Sequence, residues 1–110
     1  MNKVKILKEN RDFHRLYRRG KSSVTPELVI YFSKNRNNET RFGITTGKKI
    51  GNAVKRNRAR RIIRAAFYEV SETLKGNYDF VFVARGKTPY LKSMDIKKAM
   101  YKAFKESNLI

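Results

Sequence analysis

Residues 48–64, KKIGNAVKRNRARRIIR, place eight lysines and arginines among seventeen positions and include no acidic residue. Apolar residues nevertheless recur at spacings of three and four from Ala59 to Leu74, which predicts an amphipathic helix over residues 53–74. Gly51 and Asn52 precede this helix as a turn and a cap. The chain must therefore fold so that one side of the helix is covered while the other carries concentrated positive charge.

The cationic side of this helix opposes its own folding. Like charges three and four positions apart disfavour a helix by about 0.2–0.5 kcal/mol per pair, and cations near its first turn oppose the helix dipole. A bound phosphate relieves both penalties. A face that is merely solvated usually mixes both signs of charge, whereas residues 40–68 hold no acid. The stretch therefore predicts a polyanion-binding surface, here called the basic surface: Lys48, Lys49, Asn52, Lys55, Arg56, Asn57, Arg58, Arg60, Arg61 and Arg64.

One member of the basic surface breaks the helical pattern. A projection at 100° per residue places Arg60, Arg61 and Arg64 opposite the apolar stripe, but it places Arg56 inside the apolar sector. Local rules fail most often at functional positions. Arg56 is therefore predicted to project past the end of the core from the first turn of the helix.

Composition narrows the class of protein. The 110 residues carry a net charge of +18, which favours a nucleic-acid partner. Hydrophobic residues make up 40%, enough for one domain over residues 1–110. The absence of cysteine excludes disulfides, thiolate metal sites and a cysteine nucleophile. No apolar run reaches the roughly 20 residues of a membrane span, and the N-terminus lacks signal-peptide features. We expect a soluble cytoplasmic protein with no membrane partner.

Three other segments have the pattern of strands. Residues 28–33 and 41–46 are β-like runs whose side chains alternate between two faces, and the polar turn 35–40 between them predicts an antiparallel hairpin. Residues 78–84, YDFVFVA, form the most strongly β-like run and predict a central strand. The strand-helix-strand unit over residues 41–84 is expected to be parallel.

Two further helices complete the predicted fold. Residues 10–19 have a helical stripe with Asn10 as a cap and Gly20 as a stop, and Ser93 is a candidate cap for a last helix. The fold class is α+β, an α/β sandwich in which a small four-stranded mixed sheet packs with three helices.

Catalytic side chains are not evident in the sequence. His14 is the only histidine, and the nine acids are dispersed rather than clustered as a two-metal nuclease requires. We therefore predict no catalytic residue and no metal site in this chain.

The basic stretch resembles the signature of the bacterial ribonuclease P protein subunit. Residues 47–67, GKKIGNAVKRNRARRIIRAAF, match that family's Lys-Lys-x-Gly-x-Ala turn followed by an Arg-Asn-Arg helix. The segments RDFHRLYRRGKS, LVIYF, RFGITTGKK and YDFVFVAR resemble the family's remaining elements in order. This resemblance implies a ribosomal-protein-like topology with a left-handed β-α-β crossover, against the general right-handed preference.

The resemblance also implies a function. The partner is a catalytic RNA that requires Mg²⁺ and holds the chemistry. The protein binds that RNA through the basic surface and binds the single-stranded 5′ leader of precursor tRNA, which the holoenzyme removes. The protein itself needs no cofactor and no protein partner.

A second candidate site is an aromatic cleft, formed by Phe13, Tyr17, Tyr31 and Arg41. Phe13 and Tyr17 share a helix face. Tyr31 lies on the face of its strand opposite the apolar side chains Leu28, Ile30 and Phe32. Aromatic rings beside cations suit sequence-tolerant binding of single strands. From the residues alone, Phe13 and Tyr17 are more simply read as a buried helix stripe. The resemblance assigns these residues to leader binding.

Three alternatives remain at this stage. A structural RNA-binding protein, ribosomal or ribosome-assembling, shares the charge and the fold class but needs no aromatic cleft. A peripheral membrane protein requires an exposed apolar anchor, which the helix lacks. A DNA-bending protein fits the charge but shows no insertion arm.

Overall fold

The computed structural model describes residues 4–110. Within these residues five strands and three helices follow one another along the chain. Their bounds are β1 Val4–Ile6, α1 Asn10–Arg19, β2 Lys21–Val24, β3 Leu28–Lys34, β4 Thr40–Thr45, α2 Ala53–Val70, β5 Tyr78–Ala84 and α3 Ser93–Glu106. Three short 3₁₀ turns lie at Lys48–Ile50, Ser71–Thr73 and Thr88–Tyr90.

The strands form one mixed sheet in the order β1-β4-β5-β3-β2. β5 is parallel to β4 and antiparallel to β3, while β1 is parallel to β4 and β2 is antiparallel to β3. The α+β class and the three helices are confirmed, but the expected four-stranded sheet is wrong because the sheet has five strands. β1 and β2 are edge strands of three and four residues, too short to show a clear period of two.

The predicted hairpin between β3 and β4 is also wrong, because β5 lies between these two strands. β5 is buried along nearly its whole length, and a central place pairs both of its edges. Two strand spacings amount to about 10 Å, which the five-residue loop from 35 to 39 spans without strain. The expected parallel β4-α2-β5 unit is confirmed. The handedness of its crossover stays a prediction.

The two faces of the sheet are covered by different helices. On one face, Phe67 of α2 packs against Phe42, Phe80 and Phe82, with ring centroids 4.9–5.2 Å apart. Residues of α3 complete this core. On the other face a smaller cluster forms around Leu16 of α1 and Val81 of β5, and the half-buried Phe13 and Tyr31 pack against it. The aromatic cleft is therefore built on the face that α1 covers.

The start of α2 agrees with the prediction from the sequence, whereas its end does not. The Asn52 Oδ1 atom accepts the Lys55 backbone N–H at 3.0 Å, which confirms Asn52 as the cap. The helix ends at Val70 instead of residue 74, and the 3₁₀ turn Ser71–Thr73 follows it. There the Thr73 hydroxyl donates to the Val70 carbonyl at 2.7 Å, a local bond that competes with the helical ladder.

The other two caps differ from the prediction. Asn10 is already the first residue of α1, and the preceding Glu9 makes no side-chain cap. Ser93 is likewise the first residue of α3, where the Asp95 Oδ2 atom accepts the Lys92 backbone N–H at 2.9 Å. The carboxylate of Asp95, the third residue of the helix, therefore caps α3 in place of the predicted serine hydroxyl.

Candidate nucleic-acid interface

The basic surface lies on the outer side of α2, as its spacing predicts. Ala59, Ile63 and Phe67 are buried, while Asn57 and the arginines opposite them remain accessible to solvent. Lys48, Lys49, Asn52, Asn57, Arg58, Arg61 and Arg64 are exposed, and Lys55, Arg56 and Arg60 are partly buried. The structure therefore brings all ten predicted residues into one continuous segment at the start and along the outer side of α2.

The positive charge of this surface is not neutralised inside the protein. The ion pairs among residues 4–110 use Glu9, Asp12, Asp79 and Glu69, and none of them includes a cation from residues 48–64. Arg60 instead donates from Nη1 to the Asn57 Oδ1 atom at 2.9 Å, which orients its guanidinium along the helix. Unpaired guanidinium groups on one face are suited to bidentate contact with phosphates.

Arg56 has a structural contact that accounts for its unusual position. Its Nη1 atom donates to the Gly51 carbonyl at 3.0 Å, so the side chain folds back over the first turn of α2. Gly51 has a φ of 129°, which side-chain-bearing residues rarely adopt. Arg56 therefore holds the loop that carries Lys48 and Lys49, and its other N–H groups remain for a phosphate.

The aromatic cleft is formed by α1 and the sheet face beneath it. The Tyr17 and Tyr31 rings meet edge to face, with centroids 5.0 Å apart at 81°. The Tyr17 hydroxyl is 2.8 Å from the Thr45 Oγ1 atom, and Tyr17 is 38% exposed. Two predicted cleft residues are therefore in direct contact, and each has an aromatic ring that is only partly covered.

Phe13 lies directly over Gly43 of β4. A Cβ atom at Gly43 would be 2.3 Å from the Phe13 Cζ atom, so only glycine leaves room for the ring. Phe13 is half-buried and also packs against the cluster around Leu16. Phe13 is therefore part of the small core, which agrees with the simpler interpretation of residues 10–19 as a helix with a buried stripe. Its ring also borders the cleft.

Arg41, the remaining cleft residue, is bound to a buried carboxylate. Its Nε and Nη2 atoms donate to the Asp79 Oδ1 and Oδ2 atoms at 2.9 and 2.7 Å. Arg15 and Asn35 also donate to Asp79, at 2.9 and 2.8 Å. Burial alone would raise the pKa of Asp79, but these hydrogen bonds outweigh it and hold the pKa below its ordinary value. The hydrogen bond to Asp79 correspondingly raises the pKa of Arg41, despite partial burial.

A narrow crevice joins the aromatic cleft to the basic surface. It has a volume of about 130 Å³ and is lined by Phe13 from α1, by Gly43 and Ile44 from β4, and by Arg60 and Arg64 from α2, together with Ile6, Leu7 and Phe42. β1 is paired with β4 only from Thr40 to Phe42, so the β4 edge beyond Phe42 borders this crevice. A single strand following the sheet edge would therefore meet both surfaces.

Sequence reasoning missed four residues that position the cleft: Arg15, Gly43, Thr45 and Asp79. Asp79 was counted among dispersed acids, yet it is fully buried. Its position within the otherwise apolar run YDFVFVA was an available signal, because an isolated acid in a buried strand needs a cationic partner. Nothing in the sequence indicated that Tyr17 would reach Thr45 or that Phe13 would lie on Gly43.

The described residues hold neither a metal-binding cluster nor a membrane-spanning helix. Residues 4–110 contain no group of three or more His, Asp or Glu side chains arranged to hold a metal ion. None of the helices in the same range is long and apolar enough to span a bilayer. His14 is exposed beside Arg11, Arg15, Arg18 and Arg19, which extend the positive charge along the outer side of α1.

Fold and site together define a class: an α+β protein that presents an unneutralised basic helix beside an aromatic cleft. The family model for ribonuclease P matches residues 1–108. The chain is 38% identical to the ribonuclease P protein component of Clostridioides difficile, covering 98% of this chain and 96% of that protein. Its identity to the corresponding component of Pelotomaculum thermopropionicum is also 38%, over 99% and 97% of the two chains.

Solved structures agree with the sequence comparison. The Staphylococcus aureus RNase P protein superposes with a TM-score of 0.80 at 30% identity, covering 97% of this chain and 98% of that one. The protein from Thermotoga maritima gives a TM-score of 0.80 at 25% identity, with coverage of 93% and 96%. The chain belongs to the ribonuclease P protein family. It is the protein component of the ribonuclease P endoribonuclease, whose complex includes an RNA partner.

Proposed function

We propose that this chain binds the catalytic RNA of ribonuclease P through the basic surface and the 5′ leader of precursor tRNA through the aromatic cleft. The complex then removes the leader by endonucleolytic cleavage and leaves the mature 5′ end of the tRNA. The observation that carries the proposal is the crevice in which Phe13 of the cleft and Arg60 and Arg64 of the basic surface line the same space.

The basic surface supports the first half of the proposal. Its cations have no carboxylate partner within residues 4–110, so phosphates would neutralise them without first breaking an ion pair. The exposed Arg58, Arg61 and Arg64 recur along one side of α2. Their separation along a rigid helix suits successive phosphates of a folded RNA.

The aromatic cleft supports the second half. Tyr17 and Tyr31 offer ring surface beside the basic α1, the combination that sequence-tolerant binding of a single strand requires. Arg41 contributes charge at the same face, although Asp79 already occupies part of its guanidinium. Phe13 and the tyrosines thus provide stacking, and the arginines of α1 provide charge.

The chemistry is assigned to the RNA. The Mg²⁺ ions implied by the family resemblance are required by that RNA, and no step of the reaction is assigned to a side chain of this protein. The protein contributes binding energy and holds the leader next to the RNA. The predicted cytoplasmic location and the absence of a required protein partner stay predictions.

Reconstitution tests the proposal. The purified chain is mixed with a bacterial ribonuclease P RNA at low Mg²⁺, and 5′ cleavage of a precursor tRNA is followed, with each partner alone as a control. The expected result is cleavage that depends on both partners. Tight RNA binding without a gain in cleavage would instead indicate a structural RNA-binding protein, as in the sequence-based alternative.

A further inference from the structure

Tyr90 is an exposed aromatic residue outside both proposed binding sites. It ends the 3₁₀ turn Thr88–Tyr90 after β5 and is 68% exposed, whereas its neighbours Thr88 and Pro89 are buried. The Thr88 hydroxyl donates to the Glu27 carbonyl at 2.6 Å and accepts the Arg85 backbone N–H at 2.9 Å. The turn is therefore anchored to the body of the protein, and it presents the ring to solvent.

The surroundings of Tyr90 combine cations with apolar surface. The Lys55 Nζ atom lies 5.4 Å from the centre of the Tyr90 ring, within the range of a cation–π contact. Val54, Lys55, Arg58, Pro89 and Tyr90 line a cavity of about 360 Å³, and Val54 is 75% exposed. Among residues 4–110, no acidic side chain lines this cavity. An aromatic ring, an aliphatic side chain and two cations therefore meet beside the first two turns of α2.

We propose that Tyr90 is a stacking platform for an unpaired nucleobase of the RNA bound by α2. The base lies against the Tyr90 ring, and Lys55 and Arg58 contact the phosphates on either side of it. This inference rests on the proposed function, because it takes the occupant from the RNA that the basic surface binds. It extends that surface from the helix to the loop after β5.

Charge and shape favour RNA as the occupant. Aromatic rings bind bases of any sequence through their π faces, and adjacent cations bind the backbone. A cation already near the Tyr90 ring shows that the ring and the charge face the same space. The aromatic cleft has the same combination of rings and cations, but it lies on the sheet face covered by α1, whereas the Tyr90 cavity borders α2.

Binding of a bacterial ribonuclease P RNA, measured by fluorescence anisotropy without tRNA, tests this site. Tyr90→Ala is expected to weaken binding about fivefold to 150-fold, the range for one stacked base. Tyr90→Phe keeps the ring and should bind like the unmodified protein. Tyr101→Ala is the matched control, because Tyr101 is an exposed tyrosine of α3 that does not line this cavity.

Salt dependence provides a second readout that a merely structural role would not produce. Stacking releases no counterions, so Tyr90→Ala should leave the slope of log K against log salt unchanged, whereas Lys55→Ala should reduce it by about 0.7–0.9. Ultraviolet cross-linking of the complex followed by mass spectrometry should attach RNA to Tyr90 and not to Tyr101. A cross-link confined to other residues would overturn the platform.

Failure of the platform is distinguishable from failure of the proposed function. Arg61→Ala and Arg64→Ala are measured in the same assay. If these variants bind weakly while Tyr90→Ala and Tyr101→Ala both bind normally, the platform is wrong and the basic surface stands. Equal losses for Tyr90→Ala and Tyr90→Phe would also reject stacking, because the hydroxyl would then carry the contact. Normal binding by the arginine variants would reject the proposed function itself.

Discussion

Arg41 on β4 forms a bidentate ion pair with Asp79 on β5, with donor–acceptor distances of 2.9 and 2.7 Å. The two residues are direct neighbours in the parallel register of the sheet. Because Arg15 of α1 also donates to Asp79, this carboxylate connects the helix that forms the aromatic cleft to the two strands beneath it. The Arg41–Asp79 pair therefore helps to position α1 over the sheet.

Asp79→Asn should destabilise the protein. The substitution removes the charge that three donors share, and hydrogen bonds to a charged group are worth roughly 1.5–3 kcal/mol each. Arg41 and Arg15 are 27% and 41% exposed, so water compensates part of the loss. We expect the free energy of unfolding at neutral pH to fall by about 2–3 kcal/mol, measured by urea denaturation.

The effect of Asp79→Asn should depend on pH. Because the folded pKa of Asp79 lies below its ordinary value of 3.8, the stabilisation is fully present above that value. It is lost as the pH falls through the folded pKa. The difference between the two proteins should therefore be constant near neutral pH and shrink in strong acid. Asp12→Asn is the control, with a loss of about 1 kcal/mol or less for a more accessible pair. A difference that does not change with pH would contradict the buried ion pair.

Gly43→Ala should displace Phe13. A methyl group at this position would overlap the ring, and overpacking costs about 1–3 kcal/mol of stability. Gly47→Ala is the matched control, since a Cβ atom there meets no atom within 4 Å. Thermal unfolding of both variants measures the difference.

A double mutant separates the clash from other effects of Gly43→Ala. Combined with Phe13→Leu, which removes the ring atoms that the new methyl group meets, Gly43→Ala should cost much less than it does alone. Additive losses in the double mutant would show that Phe13 does not lie on Gly43 in solution.

The helices and the three longer strands were predictable from the spacing of their apolar residues, whereas the edge strands β1 and β2, two of the helix caps and the strand order were not. The stripe from Ala59 to Val70 and the cap at Asn52 identify α2, because both signals lie within one continuous segment of the chain. The insertion of β5 between β3 and β4 depends on which strand gains most from pairing on both edges. That is a comparison among distant segments, and no local pattern encodes it.

The two parts of the candidate site, the basic surface and the aromatic cleft, also differ in how far the sequence predicts them. The basic surface lies within one continuous stretch of sequence, residues 48–64, so its ten residues could be proposed from the sequence alone. The cleft needs contacts between α1 and strands that are distant in sequence: Tyr17 reaches Thr45, and Arg15 reaches Asp79 over 64 positions. Resemblance to a family supplied the residues of the cleft. Side-chain geometry supplied the residues that hold them.

Tyr17→Ala should weaken binding of precursor tRNA by the reconstituted enzyme more than binding of mature tRNA. The lost ring removes roughly 1–3 kcal/mol of stacking on a leader base, which only the precursor has. Tyr101→Ala is the control, because the two tyrosines are 37% and 38% exposed and both lie on helices. Tyr17→Phe loses only the contact with Thr45 and should retain most of the preference. Equal losses for both tRNAs would remove Tyr17 from the leader site.

Alanine substitutions along α2 should reduce the salt dependence of RNA binding. Arg61 and Arg64 are exposed and have no ion pair within residues 4–110, so each replacement should reduce the slope of log K against log salt by about 0.7–0.9. Arg56→Ala should in addition lower stability, because its bond to the Gly51 carbonyl is lost.

Lys102→Ala on α3 is a matched control that removes one exposed charge outside the basic surface. Titrations of a ribonuclease P RNA at several salt concentrations measure the slopes. Equal slopes for Arg61→Ala, Arg64→Ala and Lys102→Ala would mean that long-range net charge, rather than contact with α2, determines binding.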